Sequence, residues 1–324
     1  MKHFLYLLLL IGLVACEKNE VLEPTLKTVT VTPIVTGYTE VLTDVSFGTS
    51  KVGYVCGSMG TLLKTTDGGK TWTRIQSEIK PSLNCIYALD DKNVFTARNE
   101  LYHTKDGGTT WETAGLENVG TGIFDLQFVN PNTGFIAKNG VMKSTDAGKT
   151  WALKFNSADD EDYYALNYNH LQFIDGNIGF SAGGRSYDGS SVGNMVKTTD
   201  GGETWTSLKM NMSQITDFHF LGANIGFVFN FNSELWKTTD GGISWTKVSS
   251  AVPDKYLDSY FVNAKKIVIR TFNSIYHSVD GGVTWEKDYT LNDTSGQLTN
   301  LKFVDSHNGY VLGNNGFLAK IRLD

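Results

Sequence analysis

The sequence predicts an all-β protein, a single seven-bladed β-propeller with four-stranded antiparallel blades, closed by an N-terminal strand that completes the last blade. Three observations predict this fold. A turn motif recurs at nearly constant spacing, short apolar strands surround each copy, and the two chain ends supply complementary parts of one unit. Repeats of about forty residues with this composition are typical of propeller blades. The 324 residues leave room for one such ring and no second domain.

The turn motif has the pattern Ser/Thr-x-Asp-Gly/Ala-Gly-x-Thr/Ser-Trp and occurs six times. We call it the Asp box, and its first copy runs from Thr65 to Trp72. The six box aspartates are Asp67, Asp106, Asp146, Asp200, Asp240 and Asp280. The glycines accept positive φ, and the carboxylate accepts hydrogen bonds from nearby amides and hydroxyls. The pattern lacks the alternating ligands of a calcium loop, so we predict a structural role and no metal.

The strands of each unit surround its box. A polar residue three positions before an aromatic residue begins the first strand, and a short apolar strand such as residues 53–55 follows. A third strand leads into the box, and the segment after the tryptophan is the fourth. The polar starting residues, which we call the ring residues, are Asp44, Asn84, Asp125, His170, Asp217, Asp258 and Asn300. They number seven, one more than the boxes.

The two chain ends account for this difference. The seventh unit, residues 298–323, stops without a box or a fourth strand. Residues 28–32 read Thr-Val-Thr-Val-Thr and precede Asp44 by the distance that separates a fourth strand from the next blade. We predict that this stretch is the outer strand of blade seven, which leaves no open sheet edge at the seam.

The N-terminus predicts export. Residues 4–15 form an apolar run too short to span a bilayer but of the length of a secretory signal core. The run ends Leu-Val-Ala before Cys16 and resembles a bacterial lipobox. That resemblance implies a signal peptide at 1–15, a lipidated Cys16 with a tether at 16–27, and the propeller at 28–324. Position 17 is glutamate rather than the aspartate that retains enteric-type lipoproteins in the inner membrane. We therefore expect the outer membrane, with its periplasmic or surface side left open. An ordinary secretory signal with an incidental cysteine is the alternative.

Composition narrows the partners. A net charge of −6 and a pI near 5.5 give no basic footprint for nucleic acid. Besides Cys16, only Cys56 and Cys85 are present, and an exported protein permits a disulfide between them as readily as two buried thiols. The six histidines are scattered, and no motif calls for a metal or cofactor. We expect a monomeric propeller without either.

Residues 53–57 and 60–72, Gly-Tyr-Val-Cys-Gly and Gly-Thr-Leu-Leu-Lys-Thr-Thr-Asp-Gly-Gly-Lys-Thr-Trp, resemble the repeat of the photosystem II stability/assembly factor-like propellers. These belong to the wider Asp-box (BNR) group, which also includes sialidases, sortilin-type receptors and xyloglucanases. The resemblance covers about residues 28–324 and implies a seven-bladed propeller with boxes on the outer hairpins. Because the group mixes enzymes with binding scaffolds, the resemblance alone implies no activity.

Two insertions predict a binding surface. Propeller connectivity puts the loops between strands two and three on the same face as the loops between blades, and the boxes on the opposite face. The long step between Asp146 and Asp200 carries extra residues in both loop types of the first face, at 157–169 and 183–193. Their candidate binding residues are Tyr163, Tyr164, Tyr168, Arg185 and Tyr187. The alternative is that the insertions have no function, because lengthening a surface loop costs little stability.

Polar residues are expected to converge on the same face. The candidate pocket at the channel mouth combines the ring residues Asp125, His170 and Asp217 with the cations Arg98 and Arg270. The alternative is that these groups cap loops and join blades.

We therefore expect a non-catalytic cell-envelope lipoprotein whose propeller binds a protein or glycan partner. One alternative is a sialidase-type glycoside hydrolase in which Arg98, Arg185 and Arg270 hold a carboxylate, although the Phe/Tyr-Arg-Ile-Pro motif of such enzymes is absent. Another is a structural subunit of a surface complex. The sequence predicts no catalytic residue.

Overall fold

The computed structural model describes residues 28–114, 116, 122–156, 167–187, 190–249, 253, 256–292 and 296–324. These residues form seven four-stranded antiparallel sheets, the blades of a propeller. The first strands of all seven blades line one central channel. The predicted fold class, blade number and strand number are confirmed.

Strand β1 is Val29–Ile34. Blade one contains β2 Leu42–Phe47, β3 Gly53–Gly57, β4 Leu62–Thr65 and β5 Thr73–Arg74, and blade two contains β6 Cys85–Ala88, β7 Val94–Ala97, β8 Leu101–Thr104 and β9 Glu112–Ala114. Blade three contains β10 Asp125–Phe128, β11 Gly134–Lys138, β12 Gly140–Ser144 and β13 Ala152–Asn156, and blade four contains β14 Asn167–Phe173, β15 Gly179–Tyr187, β16 Ser190–Thr198 and β17 Thr206–Leu208. Blade five contains β18 Ile215–Phe220, β19 Gly226–Asn230, β20 Leu235–Thr238 and β21 Thr246–Ser249, and blade six contains β22 Tyr256–Phe261, β23 Ile267–Thr271, β24 Ser274–Ser278 and β25 Glu286–Thr290. Blade seven contains β26 Leu298–Phe303, β27 Asn308–Gly313 and β28 Leu318–Leu323, with β1 as its outer strand.

The ring closes at blade seven as predicted. Strand β1 pairs antiparallel with β28, in a register that runs from Val29 opposite Leu323 to Ile34 opposite Leu318. Backbone hydrogen bonds between Thr28 and Asp324 extend the pairing at one end. The N-terminal strand therefore covers the edge that β28 would otherwise expose.

Aromatic contacts explain why most units carry an aromatic residue at the end of the first strand together with a box tryptophan. In four blades the aromatic residue that ends the first strand meets the box tryptophan edge-on at 5.9–6.1 Å between ring centroids. The pairs are Phe47 with Trp72, Phe128 with Trp151, Phe173 with Trp205 and Phe220 with Trp245. Edge-to-face pairs of this kind stabilise a core by about 0.5–1.5 kcal/mol each beyond the area they bury.

Each Asp box is a closed set of hydrogen bonds, as the first box shows. Asp67 Oδ1 accepts the amides of Lys70 and Thr71, and Oδ2 accepts the Thr71 hydroxyl at 2.6 Å. The Thr65 hydroxyl donates to Asp67 at 2.8 Å and accepts the amide of Gly69 at 2.9 Å. In every box the carboxylate takes these bonds from hydroxyls and amides, which lowers the pKa of the aspartate. The pKa is about 2 in Asp146, Asp240 and Asp280 and is also lowered in Asp67, Asp106 and Asp200.

The boxes define the two faces of the ring. The amide at box position four donates to the loop between strands one and two of the same blade, as from Gly68 to Lys51 at 2.9 Å. We call this end of the blades the box face. The opposite end, with the loops between strands two and three and between blades, is the mouth face. The insertion predicted at 183–193 falls on the mouth-face ends of β15 and β16, whereas residues 157–166 of the other predicted insertion lie outside the described residues.

Candidate functional site

The central channel has a volume of about 530 Å³, and all seven ring residues line it. The sequence analysis expected them there because it placed each at the start of the first strand of its blade; in five blades that strand in fact begins two or three residues earlier. Their geometry shows what their side chains do. Each blade–blade interface is crossed by a hydrogen bond from a side chain at the channel wall, and six of these seven bonds involve a ring residue or its direct partner.

Asp44 joins three blades. Its Oδ1 accepts the amide of Val45 at 2.8 Å, and its Oδ2 accepts the amide of Ile86, in blade two, at 2.9 Å. Lys302 of blade seven places its Nζ 2.9 and 3.1 Å from the two carboxylate oxygens. Asn300 adds a longer bond of 3.4 Å. The carboxylate is 6% exposed, so both of its oxygens are occupied by protein donors.

Asp125 and Asp217 repeat this arrangement. Asp125 accepts the amide of Leu126 in its own strand and that of Leu171 in blade four, at 2.8 and 3.0 Å. Asp217 accepts the amide of Phe218 at 2.8 Å and both the amide and the hydroxyl of Ser259 in blade six. Aspartate at alternate blades therefore serves as a two-armed acceptor that holds two inner strands in register.

The remaining ring members use other chemistry. Asn84 donates to the carbonyl of Ile123 in blade three at 3.1 Å, and Asn300 donates to that of Thr43 in blade one at 2.9 Å. Between blades six and seven, the buried Arg270 binds Asp258 through Nε at 2.6 Å and reaches the carbonyl of Leu298 through Nη1. The cation predicted for a ligand pocket is thus part of an ion pair inside the wall.

Sequence reasoning missed a second layer of the channel wall. Gln127 accepts the amide of Phe173 at 2.9 Å, and Gln172 accepts the amide of Phe220 at 2.7 Å. Together with Lys302, these residues stand immediately before the strand-ending aromatic position of their blades. Strand alternation would have found them, since they are two residues beyond the ring position and face the same way.

Burial and neighbouring charges shift the pKa values of three groups in the channel. Burial in the wall opposes the charge of Lys302, but the carboxylates of Asp44 and Asp125 raise its pKa. Burial raises the pKa of Asp125 and lowers that of His219 to about 4, so the His219 imidazole, stacked on Phe261, is neutral near pH 7. His170 also lines the channel, where the bond to the next blade is made by Gln172 instead.

The two cysteines beside the channel are free thiols. Cys56 and Cys85 are both buried, and the Thr43 hydroxyl lies 3.3 Å from Cys56 Sγ. Burial raises the pKa of Cys56 to about 12 and raises that of Cys85 as well. The sequence left a disulfide open, and the structure has none between these two residues.

The predicted insertion residues that the structure describes differ in their exposure. Tyr163 and Tyr164 lie outside the described residues, as does the side chain of Tyr187. Arg185 is exposed on the long hairpin formed by β15 and β16. Tyr168 is fully buried and meets Phe155 edge-on at 5.2 Å, so its ring belongs to the wall of the blade.

The three arginines of the sialidase hypothesis do not converge in the channel. Arg98 is exposed at the end of blade two, Arg185 lies on blade four, and Arg270 is bound to Asp258 in blade six. None of the three is among the residues that line the channel. Within the described ranges, no group of three or more His, Cys, Asp or Glu side chains is placed to hold a metal ion. No helix among those same residues is long and apolar enough to cross a membrane.

Four exposed apolar side chains lie on the mouth face, which the sequence reasoning did not anticipate. Met59, Phe231 and Phe272 occupy the turns between strands two and three of blades one, five and six, and they are 73%, 42% and 41% exposed. Phe124 stands just before β10, 39% exposed, and lines the channel itself. Met59 also has a φ of +56°, a conformation that a non-glycine residue adopts at an energetic cost and that is concentrated at functional sites.

Comparison with known proteins gives consistent matches. Residues 25–122 and 250–322 match a family model described as photosynthesis system II assembly factor YCF48. A stretch of 79 residues is 32% identical to the photosystem II assembly lipoprotein Ycf48 of Synechococcus sp. (strain CC9902), and it covers 23% of each chain.

Solved structures extend the similarity to nearly the whole chain, at the level of fold. YCF48 from Cyanidioschyzon merolae has a TM-score of 0.73 at 20% identity, covering 90% of this chain and 98% of that one. A structure of YCF48 bound to a D1 peptide has a TM-score of 0.72 at 18% identity, covering 91% and 97%. A xyloglucanase from Xanthomonas campestris has a TM-score of 0.66 at 14% identity, and the match covers 90% of this chain but 53% of the enzyme.

Proposed function

Because this chain belongs to the family of photosynthesis system II assembly factor YCF48, we propose that it is a non-catalytic protein that binds a segment of another envelope protein on its mouth face. One solved propeller of the same fold is YCF48 bound to a D1 peptide. We extend peptide binding to this chain, without extending that particular peptide.

The observation that carries this proposal is the set of exposed apolar side chains on the mouth face. Phe231 and Phe272 are in adjacent blades five and six, and Met59 is in blade one, which blade seven separates from blade six. Large apolar groups around a polar centre are the usual composition of a protein-binding surface. The exposed Arg185 adds a planar cation on the same face.

The chemistry of the channel supports a binding role over a catalytic one. A general acid or base needs a carboxyl group with an oxygen directed at the substrate. Asp44, Asp125 and Asp217 instead give both oxygens to amides of two blades. Their position is explained by holding the ring together.

We also propose an envelope location, with the outer membrane as the expected site, and the resemblance of the residues before Cys16 to a lipobox supports it. Cys16→Ser removes the acceptor for the lipid, and the apolar run is too short to anchor the chain alone. The variant is therefore expected to move from the membrane fraction to the soluble fraction on cell fractionation. Association that still requires detergent would contradict the anchor.

Site-specific photo-crosslinking in living cells tests the partner proposal. A photoreactive residue is placed at Phe231, and the matched control is Leu153, which is 52% exposed on the outer strand β13 rather than on the mouth face. We expect a discrete product at 231 that is absent at 153 and sensitive to protease. A product that resists protease and is degraded by glycosidases would replace the protein partner by a glycan.

Affinity is then measured with the partner identified by that product. Replacing Met59 and Phe272 by serine should weaken binding by about tenfold or more while the melting temperature stays near wild type, because hot-spot side chains contribute about 1–2 kcal/mol or more each. A second variant, with alanine at Tyr163, Tyr164 and Arg185, tests whether the insertions contribute. Unchanged affinity in both variants would exclude the mouth face as the binding surface.

A further inference from the structure

The sixth position of the Asp box is the starting observation. It is exposed in every box, and in the first four boxes it is polar. The six residues are Lys70, Thr109, Lys149, Glu203, Ile243 and Val283. In the last two boxes the residue is thus a large aliphatic one, 77% exposed at Ile243 and 58% at Val283. Because the six turns share one geometry, the fold itself does not require an apolar residue there.

The change is not confined to one position. Val279 replaces the threonine or lysine found at the second position of the other boxes and is 50% exposed. In blade five, the loop between strands one and two adds exposed Leu221 and Ile225. Its Asn224 carbonyl accepts the amide of Gly241, so this loop and the box of Ile243 are directly joined.

The patch continues toward blade seven. In blade six, the carbonyl of Lys265 accepts the amide of Gly281, which joins the next loop to the box of Val283. Val304 follows on the box face of blade seven and is also exposed. Six exposed aliphatic side chains therefore lie on the box face of three consecutive blades, five to seven. We call this set the box-face patch, consisting of Leu221, Ile225, Ile243, Val279, Val283 and Val304.

The chain enters the propeller beside this patch. Thr28 pairs with Asp324 at the end of blade seven where the other blades carry their boxes, and the amide of Leu323 donates to His307 in the box-face loop. The residues between Cys16 and Thr28 therefore join the ring on the box face, at the blade adjacent to blade six.

We infer that the box-face patch docks on the lipid bilayer that carries the Cys16 anchor. This inference rests on the lipid anchoring in the proposed function. Eleven residues separate Cys16 from Thr28, and they reach about 40 Å when extended. Such a tether permits several orientations, and burial of the box-face patch among lipid acyl chains and headgroups selects one of them. The six aliphatic side chains lie on the side from which the tether leaves.

This orientation deepens the proposed function. With the box face against the lipid, the mouth face and its phenylalanines point away from the anchoring membrane. The partner segment then approaches from the aqueous side, beyond the membrane surface. Peptide binding and membrane docking use opposite ends of the same blades.

The test uses the full-length lipidated protein in vesicles of phosphatidylethanolamine and phosphatidylglycerol. Single cysteines at Ile243, Val283 and, as the mouth-face control, Met59 are labelled with a fluorophore, while buried Cys56 and Cys85 stay unlabelled. Lipids with a nitroxide on the acyl chain should quench the labels at 243 and 283 at least about twofold more than the label at 59, because only the former approach the bilayer. Equal quenching, or stronger quenching at 59, would overturn the inference.

A second variant separates docking from folding. Ile243→Lys together with Val283→Lys copies the residues that the fold accepts at Lys70 and Lys149, so it should melt like wild type. A label at Val279 should lose its quenching in this background. If the label stays unquenched in every background while the wild-type chain remains membrane-bound through Cys16, the docking inference fails and the anchor stands. Energy transfer between copies through the 243 label, without lipid quenching, would assign the patch to self-association and refute the lipid proposal.

Discussion

The carboxylate of Asp44 offers the sharpest test of whether the channel wall is structural. Asp44→Ala leaves the amides of Val45 and Ile86 without their acceptor, and both residues are almost fully buried. A buried amide without a partner costs about 1–3 kcal/mol. The same change removes the counter-charge of Lys302, whose amine faces the channel and retains some solvent. We therefore expect the ion pair's share of the lost stability to remain below the roughly 3–5 kcal/mol that breaking a fully buried ion pair costs.

Together these contributions predict that Asp44→Ala lowers the free energy of unfolding by about 3–4 kcal/mol. Urea denaturation followed by tryptophan fluorescence measures it well, because a box tryptophan stands in each of six blades. The control is Asp91→Ala on an exposed box-face loop, which should change stability by no more than about 0.5 kcal/mol. The denaturant slope should stay the same.

A double-mutant cycle isolates the ion pair. Lys302→Met removes the amine that Asp44→Ala leaves unpaired, so the double variant should be less destabilised than the sum of the single variants. If Asp44→Ala melts like wild type and selectively loses partner binding, the carboxylate acts in recognition, and our assignment of the ring to blade joining would be refuted.

Three further predictions follow from the same geometry. The pKa of His219 is about 6.5 in the unfolded chain and about 4 in the folded one, so its contribution to stability is complete above pH 6.5 and is lost, by about 1–3 kcal/mol, as the pH falls toward 4. His219→Phe should therefore reduce the change of the urea midpoint between pH 7.5 and 5. An unchanged pH dependence in this variant would exclude His219 as its cause. Deleting residues 28–35 exposes the edge of β28 and should produce aggregation in light scattering, whereas a monomer with wild-type melting would contradict the closure. Asp200→Ala removes the acceptor of its box and should lower the melting temperature while leaving crosslinks at Phe231 intact; normal melting with lost crosslinks would reverse that assignment.

Sequence reasoning reached the architecture because the architecture is periodic. A box near every fortieth residue and seven ring residues fix the blade count, and the alternating stretch at 28–32 identified the strand that closes the ring. These signals are local in the chain, so they can be recognised in a single sequence without any knowledge of tertiary contacts.

The candidate site was harder to predict because the sequence does not show which partner each polar side chain contacts, within a blade or across a blade boundary. The sequence grouped Arg270 with other cations, while its partner turned out to be Asp258, its cross-strand neighbour. Tyr168 resembled a surface tyrosine within an insertion, yet it is buried in β14. The exposed apolar residues at both faces carry no pattern of their own, and their exposure becomes meaningful only when equivalent turns of different blades are compared.

The register of β1 with β28 has a consequence for biogenesis. The first and last strands of the propeller are hydrogen-bonded neighbours, so blade seven cannot be completed before residues 318–323 have been synthesised. Until then, the edges of β1 and β28 both remain unpaired, and contacts so distant in sequence form late in folding. A chain that is truncated near its C-terminus therefore stays open at the seam. The joint between the two ends therefore marks a complete chain, because only a finished ring leaves neither strand edge open to proteases or to other chains.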